Sequence, residues 1–160
     1  MPLSDPTERH LRRCVELATA ALAAGDDPFG SVLTDSAGQV LAEARNREHS
    51  DQDPTAHPEL ELAQWAAVNL AAAERAAATV YTSGEHCPMC AAAHGWVRLG
   101  RIVYAASAEQ VAGWRADWGL PVSPVALLPA TEVALEVTVV GPVAPYDEMM
   151  RVLHERAALR

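Results

Sequence analysis

Two cysteines form the pattern with the clearest chemical potential in this chain. Cys87 and Cys90 lie between a short strand-like run, residues 79–82, and a helical run, residues 91–94. Two thiols three positions apart in the first turn of a helix can bind one metal ion, and the helix dipole and free N–H groups of that turn favour the thiolate form. Pro88 suits the first helical position, where its missing N–H costs nothing. This stretch therefore predicts a thiolate metal site.

The segment His57-Pro58-Glu59 supplies a third candidate ligand. It repeats the arrangement of a ligand-type residue followed by proline at a predicted helix start. We expect the two helices to begin side by side, so that His57, Cys87 and Cys90 bind one zinc ion. Three protein ligands leave a fourth position open for water, which is typical of catalytic zinc. Glu59 can lie beside the metal without binding it, where a general base is needed.

These motifs resemble those of the zinc-dependent cytidine and deoxycytidylate deaminase superfamily, in which His-x-Glu precedes a Cys-x-x-Cys pair. Residues 27–30 and 53–57 are most similar to the branch that contains bacterial guanine deaminases and tRNA-adenosine deaminases, and the likeness covers roughly residues 8–106. It implies an α/β fold, a three-layer α/β/α sandwich with a mixed, roughly five-stranded sheet. It also implies Zn2+ as cofactor, a homodimer, and hydrolytic deamination of an amino-substituted nucleobase or nucleoside with release of ammonia.

The resemblance also bears on the substrate. Residues 53–57 favour a free aminopurine such as guanine, with cytosine-type bases, cytidine-type nucleosides and other amino-heterocycles as alternatives. Pro58 stands where the family usually has Ala or Val, and it lacks the N–H that often contacts a substrate carbonyl. His86 stands where the family usually has Pro. Two alternatives of another class are a Cys-x-x-Cys thiol redox protein and a non-catalytic zinc module.

Four further residues are candidates through the resemblance. Asn46 offers one acceptor and two donors, which suits the edge of a base, and the family places a substrate-contacting Asn here. Phe29, the only Phe, is either a core residue or a wall of the base pocket. Guanine deaminases bring a second acid to the site roughly where Asp117 lies. Glu85 occupies a position at which the family carries a Glu that holds the loop before Cys87.

Several other side chains have two interpretations each. Trp114 and Trp118 lie four apart on one helix face and belong either to a core or interface or to a pocket wall. Tyr146, near the start of the last helix, can reach the pocket. His94, four residues after Cys90, is either a packed histidine or a hydrogen-bond partner of the metal ligands.

Hydrophobic periodicity and turn residues indicate the elements that must position these groups. Helix 58–77 is expected to bury one face formed by Leu60, Ala63, Ala67, Leu70 and Ala71. On the first helix Cys14 lies in the apolar stripe, which predicts a buried structural thiol. The predicted helices are 7–24, 58–77, the run after Cys90, one that opens at Ser107, and 145–159; the predicted strands are 29–34, 39–44, 79–83, 101–106, 125–128 and 136–140.

Length and composition limit the remaining possibilities. The 160 residues predict a single domain, 1–160, and half of them are hydrophobic. No apolar run approaches the length of a membrane span, and the composition of residues 1–6 leads us to expect no secretion signal. Three cysteines, two of them committed to metal, suit a reducing cytoplasm. The net charge of −9, with twelve basic residues that are all Arg, opposes binding to nucleic acid and favours a small-molecule partner.

Overall fold

Helices and strands alternate along most of the chain. The computed structural model describes residues 5–160; residues 1–4, which belong to the predicted domain and to the stretch judged to lack a secretion signal, lie outside the described residues. The elements in chain order are α1 (Asp5–Ala23), β1 (Gly30–Thr34), β2 (Val40–Arg45), α2 (Pro58–Asn69), α3 (Ala72–Ala77), β3 (Thr79–Gly84), α4 (Pro88–Val97), β4 (Arg101–Ala106), α5 (Ala108–Asp117), α6 (Ala130–Val133), β5 (Val139–Val140) and α7 (Tyr146–Ala158).

The strands form one mixed sheet in the order β2-β1-β3-β4-β5. β1 pairs antiparallel with both β2 and β3, whereas β3, β4 and β5 run parallel. Parallel neighbours need a crossover connection, and α4 provides it between β3 and β4. The carboxyl ends of these two strands therefore meet at one edge of the sheet, which is where open α/β sheets commonly bind ligands.

Helices cover both faces of this sheet. α1 and α7 pack on one face with α5 against α7, and α2 and α4 pack together on the other. Because side chains alternate along a strand, Val32 joins the first of the two resulting hydrophobic clusters and Leu33 the second. Cys14 is fully buried in the first cluster, as its place in the apolar stripe predicted. The three-layer α/β/α sandwich with a mixed five-stranded sheet is confirmed.

The prediction of one continuous helix over residues 58–77 is wrong. Leu70 and Ala71 have extended backbone angles, which separate α2 from α3. The Arg75 side chain donates to the carbonyls of Leu70 and Val97, and Glu74 accepts the N–H of Ala71. The bonds to Leu70 and Ala71 satisfy backbone groups that the break releases, and the bond to Val97 joins α3 to the end of α4.

The predicted buried face of this segment is also partly wrong. The buried side chains of α2 are Pro58, Glu59, Leu62, Ala63 and Ala66. Ala67 and Ala71, which were expected inside, are exposed, and Leu60 and Leu70 are half-buried. A helix rich in alanine carries little periodic contrast, so the packing of α2 against α4 and the sheet decides its orientation.

Two strands expected in the last third of the chain differ from prediction. Residues 125–128 form a loop, since Pro124 and Pro129 flank them and remove donors that a ladder needs. The strand expected over 136–140 reduces to β5, which pairs with β4 only through Val139 and Val140. No helix within residues 5–160 is long and apolar enough to cross a bilayer.

Candidate metal centre and active site

The starts of α2 and α4 bring the three predicted ligands together. His57 is the N-cap of α2 and Cys87 is the N-cap of α4, and proline occupies the first position of each helix. Cys90 lies in the first turn of α4 and is fully buried. Both helix N-termini thus point their free N–H groups towards one region, which stabilises thiolate there. The side-by-side start that the motifs predicted is confirmed.

The spacing of these donors fits a tetrahedral zinc ion. His57 Nδ1 lies 3.6 Å from Cys87 Sγ and 3.6 Å from Cys90 Sγ. Zinc bonds of about 2.3 Å to sulfur and about 2.0–2.1 Å to nitrogen, set at a tetrahedral angle, separate N and S by about 3.6 Å. All three ligand atoms lie within 4.8 Å of one another. Geometry and donor type therefore both match a zinc site with one His and two Cys ligands.

Negative charge surrounds this point. A hydrogen bond from Cys90, together with the hydrogen bond and the charge of His57, lowers the pKa of Cys87 to about 4 against the effect of its burial. Hydrogen bonds to Cys87 and to Glu48 raise the pKa of His57 to about 10. A thiolate and carboxylates around one imidazole favour a cation in their midst, and zinc supplies two positive charges.

Glu48 was not predicted, and it contacts the metal ligand directly. Its Oε1 lies 3.0 Å from His57 Nε2. The same oxygen accepts a hydrogen bond of 2.9 Å from Asn46 Nδ2, and the Glu48 N–H donates to Asn46 Oδ1 at 3.0 Å. No periodicity or spacing in the polar segment 46–55 could have indicated this contact. It depends on how the segment folds back towards α2.

Glu59 lies behind the ligands with one carboxylate oxygen held and the other facing them. Thr82 Oγ1 contacts Oε1 at 3.3 Å, and Ser31 in turn donates to Thr82 at 2.8 Å. The thiol of Cys90 contacts Oε2 at 3.9 Å. Burial raises the pKa of Glu59 to about 7. The carboxylate is therefore fixed beside the metal ligands without joining the three-donor set.

A cavity of about 260 Å³ adjoins this centre at the carboxyl edge of the sheet. Its wall is apolar for the most part, with a few polar groups, as in most sites for small organic ligands. Asn46 and Phe29 line it, which agrees with the expectation for Asn46 and with the pocket-wall alternative of the two given for Phe29. The complete lining is Asp27, Phe29, Asn46, His57, Pro58, Glu59, Gly84, Glu85, Cys87, Ala108, Val111, Ala112, Arg115, Ser123, Pro124 and Leu127.

Three predicted site residues do not line this cavity. Asp117 is exposed at the end of α5. Trp114 packs against the first hydrophobic cluster, with its ring centroid 5.9 Å from that of His154. Tyr146 is buried and its hydroxyl donates to the Glu8 carbonyl at 3.2 Å. Of the two interpretations of Trp114, its position in the structure agrees with the core residue. Within the described residues, neither Asp117 nor Tyr146 contacts the metal ligands.

Glu85 connects the loop before the cysteines to two helices. Its carboxylate accepts the Ala108 N–H at 3.0 Å and the Ala130 N–H at 2.9 Å, at the starts of α5 and α6. The predicted role of Glu85 in holding this loop agrees with these bonds. Because Ala108 also lines the cavity, the same carboxylate fixes part of the cavity wall.

His86 and His94 form a buried pair behind the cysteines. Their rings meet edge to face with centroids 5.2 Å apart, and both side chains are almost completely buried. His94 Nε2 bonds to the Gly100 carbonyl at 2.9 Å. Within the described residues neither nitrogen of His86 has a hydrogen-bond partner. His94 is thus the packed histidine of the two alternatives, and His86 does not line the cavity.

Comparison with known proteins identifies the family. The model of the cytidine and deoxycytidylate deaminase zinc-binding region matches residues 4–106. Guanine deaminase from Bacillus subtilis is 39% identical over 100 residues, which cover 62% of this chain and 64% of that protein. A tRNA-specific adenosine deaminase from Haemophilus influenzae is 36% identical over 104 residues, which cover 65% of this chain and 60% of that protein. The chain thus spans less than two thirds of either relative.

The solved structures agree on the fold. Guanine deaminase from Nitrosomonas europaea has a TM-score of 0.74 to this protein at 21% identity, and the match covers all of this chain and 88% of that one. The region that the family model matches contains the three zinc ligands and extends over more than half of the chain. The chain therefore belongs to the zinc-binding family of cytidine and deoxycytidylate deaminases.

Proposed function

We propose that this protein hydrolytically deaminates a small amino-substituted base, releases ammonia, and acts on a free aminopurine such as guanine. The observation that carries this proposal is the position of Glu59. Its free carboxylate oxygen lies 3.9 Å from Cys90 Sγ, and its side chain lines the cavity together with His57 and Asn46. A carboxylate beside a zinc ligand set, and open to a cavity, is suited to move protons during hydrolysis.

Each group in the site has a separate task in this proposal. His57, Cys87 and Cys90 hold the zinc ion. Zinc, when bound, would act as a Lewis acid that lowers the pKa of water towards ~7. Glu59 Oε2 accepts a proton from the attacking water, delivers it to the ring nitrogen, and assists the departure of ammonia. Thr82 Oγ1, which lies 3.3 Å from the other oxygen of Glu59 and 3.0 Å from the Gly84 carbonyl, helps to orient the carboxylate.

Several observations support a free purine as the substrate. The cavity of about 260 Å³ lies just below the roughly 300–1,000 Å³ that is usual for ligand sites, so it suits a small ligand. Phe29 gives it an aromatic wall, and Asn46 gives it an amide for the edge of a base. Guanine deaminases are among the relatives, and two solved structures of this fold hold 8-azaguanine and 2,6-diaminopurine. The net charge of −9 disfavours tRNA as the substrate.

Pro58 is the reason to test other bases as well. It lines the cavity without an N–H, so a carbonyl oxygen of the substrate finds no backbone donor at this position. An amino-heterocycle without a ring carbonyl, such as an aminotriazine, does not need this contact. Such heterocycles and cytosine-type bases are the second candidates.

The deciding experiment measures ammonia release by the zinc-loaded protein from guanine, adenine, cytosine, their nucleosides and simple aminotriazines. Glu59→Gln should retain zinc and lose roughly 10²–10⁴-fold in kcat/KM. Glu61→Gln is the matched control. Glu61 is exposed in the first turn of the same helix, and its replacement by Gln removes the same charge. The proposal fails if no compound releases ammonia, or if E59Q retains the wild-type rate on the compound that does.

The redox alternative leaves the surroundings of the cysteines unexplained. A dithiol site needs two sulfurs, whereas here an imidazole lies 3.6 Å from both and is itself bonded to a carboxylate. A stoichiometric zinc ion that survives exposure to oxidised glutathione favours the metal site. Reversible formation of a Cys87–Cys90 disulfide in its place would favour the redox alternative.

We further propose that the protein is a homodimer in a reducing, cytoplasmic compartment. Trp96 and Leu135 are 88% and 81% exposed and flank one groove between α4 and α6. Large apolar side chains in such a patch favour contact with another protein surface. Three free cysteines, two of them metal ligands, require thiols to stay reduced. Light scattering that gives the 17.1 kDa monomer mass would contradict the dimer.

A further inference from the structure

Glu48 contacts two functional side chains at once. One carboxylate oxygen, Oε1, lies 3.0 Å from His57 Nε2 and 2.9 Å from Asn46 Nδ2. Its backbone N–H returns a bond of 3.0 Å to Asn46 Oδ1. The side chain is 24% exposed, so the carboxylate lies partly away from water, where a charge-assisted hydrogen bond is strong.

The chemistry of these contacts fixes the state of His57. An ionised carboxylate only accepts hydrogen bonds, so the nitrogen that faces it must carry the proton. In the neutral imidazole, which is the form that binds a metal, the proton therefore lies on Nε2, and Nδ1 keeps its lone pair. That lone pair belongs to the atom that lies 3.6 Å from both cysteine sulfurs. Glu48 thus selects the tautomer in which His57 can bind a metal.

The same contacts fix Asn46. Its amide nitrogen must face the carboxylate and its oxygen must face the Glu48 N–H, because the reverse arrangement would set donor against donor. One N–H of Nδ2 and one lone pair of Oδ1 are left over. Since Asn46 lines the cavity, these remaining groups can serve a ligand edge that offers an acceptor and a donor.

We propose that Glu48 is a positioning residue that aligns the metal ligand His57 and the cavity residue Asn46 through one carboxylate oxygen. Partners of this kind hold a metal-bound imidazole in orientation and raise its basicity. The effect on His57 concerns zinc affinity alone. The effect on Asn46 rests on the proposed function, because it concerns how a substrate is held.

Zinc affinity, measured by competition with a chelator, tests the first effect independently of catalysis. Glu48→Ala should weaken zinc binding by roughly 10- to 100-fold. Glu48→Gln should restore most of the affinity, because the amide oxygen can accept the same two bonds. Glu61→Ala, which removes an exposed carboxylate in the first turn of α2, should bind zinc within about twofold of wild type. The Glu61 backbone N–H donates to the His57 carbonyl and is kept in the variant, and within the described residues the Glu61 carboxylate has no hydrogen bond or ion pair to a metal ligand. Equal losses in E48A and E61A would overturn the proposal.

The wild-type protein provides a second test that needs no variant. In 15N NMR spectra of the zinc-loaded protein, the His57 side chain should carry its proton on Nε2 and bind zinc through Nδ1. A proton on Nδ1 would overturn the proposal even if E48A fails to fold.

Steady-state kinetics test the coupling to Asn46. Measured with saturating zinc, Asn46→Ala and Glu48→Ala should each lower kcat/KM, and the double variant should lose less than the product of the two. Multiplicative losses would refute the link to Asn46 and leave the metal result standing. If neither the wild type nor any variant releases ammonia, the proposed function is refuted. The zinc affinities would still test the effect of Glu48 on His57.

Discussion

Replacing Asp26 by Asn should lower the free energy of unfolding, because Asp26 holds the polar segment 46–55 in place. The Asp26 side chain is fully buried, and its carboxylate accepts hydrogen bonds from the N–H of Ser50 at 2.7 Å, from the Ser50 hydroxyl, and from Arg45 at 3.1 Å. These bonds join the turn after α1 to the segment that carries Asn46 and Glu48. The carboxylate therefore holds this segment from the inside of the protein.

The size of the effect follows from what Asn can and cannot replace. Its amide oxygen can still accept the Ser50 N–H, and the Ser50 hydroxyl can rotate to accept from the amide. Arg45 can only donate, so it loses its charged partner and keeps only the longer bond of 3.4 Å to the Asn46 carbonyl. Removing one member of a buried ion pair costs about 3–5 kcal/mol. The Arg45 side chain is 30% exposed and can reach water, so we expect the lower end, about 3 kcal/mol.

Urea unfolding of wild type and D26N at neutral pH measures this difference. Asp27→Asn is the matched control, because Asp27 carries a surface ion pair with Arg160 at 3.2 Å and both side chains are 36% exposed. An exposed pair contributes roughly 0–1 kcal/mol, so D27N should unfold at nearly the wild-type urea concentration. A cost below about 1 kcal/mol for D26N would refute the role given to the buried carboxylate.

The pH dependence gives an independent check of the same reasoning. Burial alone would raise the pKa of Asp26, but the bonds from Ser50 and Arg45 hold it below its ordinary value. A carboxyl with a lowered pKa in the folded protein stabilises fully above its ordinary pKa of about 3.9, and loses this contribution as pH falls through the lowered pKa. The difference between wild type and D26N should therefore shrink towards low pH. A constant difference down to the acid limit of the folded state would contradict the assignment.

Three further predictions follow from packing and metal binding. A methyl group at Gly30 would lie 2.6 Å from the Cys14 carbonyl in α1, so Gly30→Ala should lower the free energy of unfolding by about 3 kcal/mol. A methyl group at Gly113 would meet no atom within 4 Å, so Gly113→Ala should raise it by roughly 0.5–1 kcal/mol. Equal midpoints of thermal unfolding for the two variants would contradict this. His86→Leu should raise the free energy of unfolding by about 1 kcal/mol, because both ring nitrogens are buried without partners, and a loss instead would indicate a bound water there. Chelation of zinc should expose Cys87 to thiol reagents while Cys14 stays protected until unfolding; equal reactivity before and after chelation would exclude Cys87 as a ligand.

The zinc centre could be predicted from the sequence because its signals are local. Proline after His57 and after Cys87 indicated two helix starts, and a helix start fixes the direction of its first side chains within one turn. The structure confirms both starts, and the distances between His57 Nδ1 and the two sulfurs agree with one metal ion. The strands β1, β2, β3 and β4 were predicted within one or two residues because alternation and turn residues mark them clearly.

The sequence by itself determined the metal ligands, since they lie in short motifs at helix starts. Through the resemblance of these motifs to a known family it also indicated the family and the three-layer fold. Only the tertiary structure decided which face of the alanine-rich α2 is buried, because small side chains give that helix little amphipathic contrast. It also brought Glu48 into contact with His57 and Asp26 into contact with Ser50, and it placed Asp117 away from the cavity. Such contacts join residues of irregular or distant segments, where no repeat encodes the partner and the packing of the layers sets the distance.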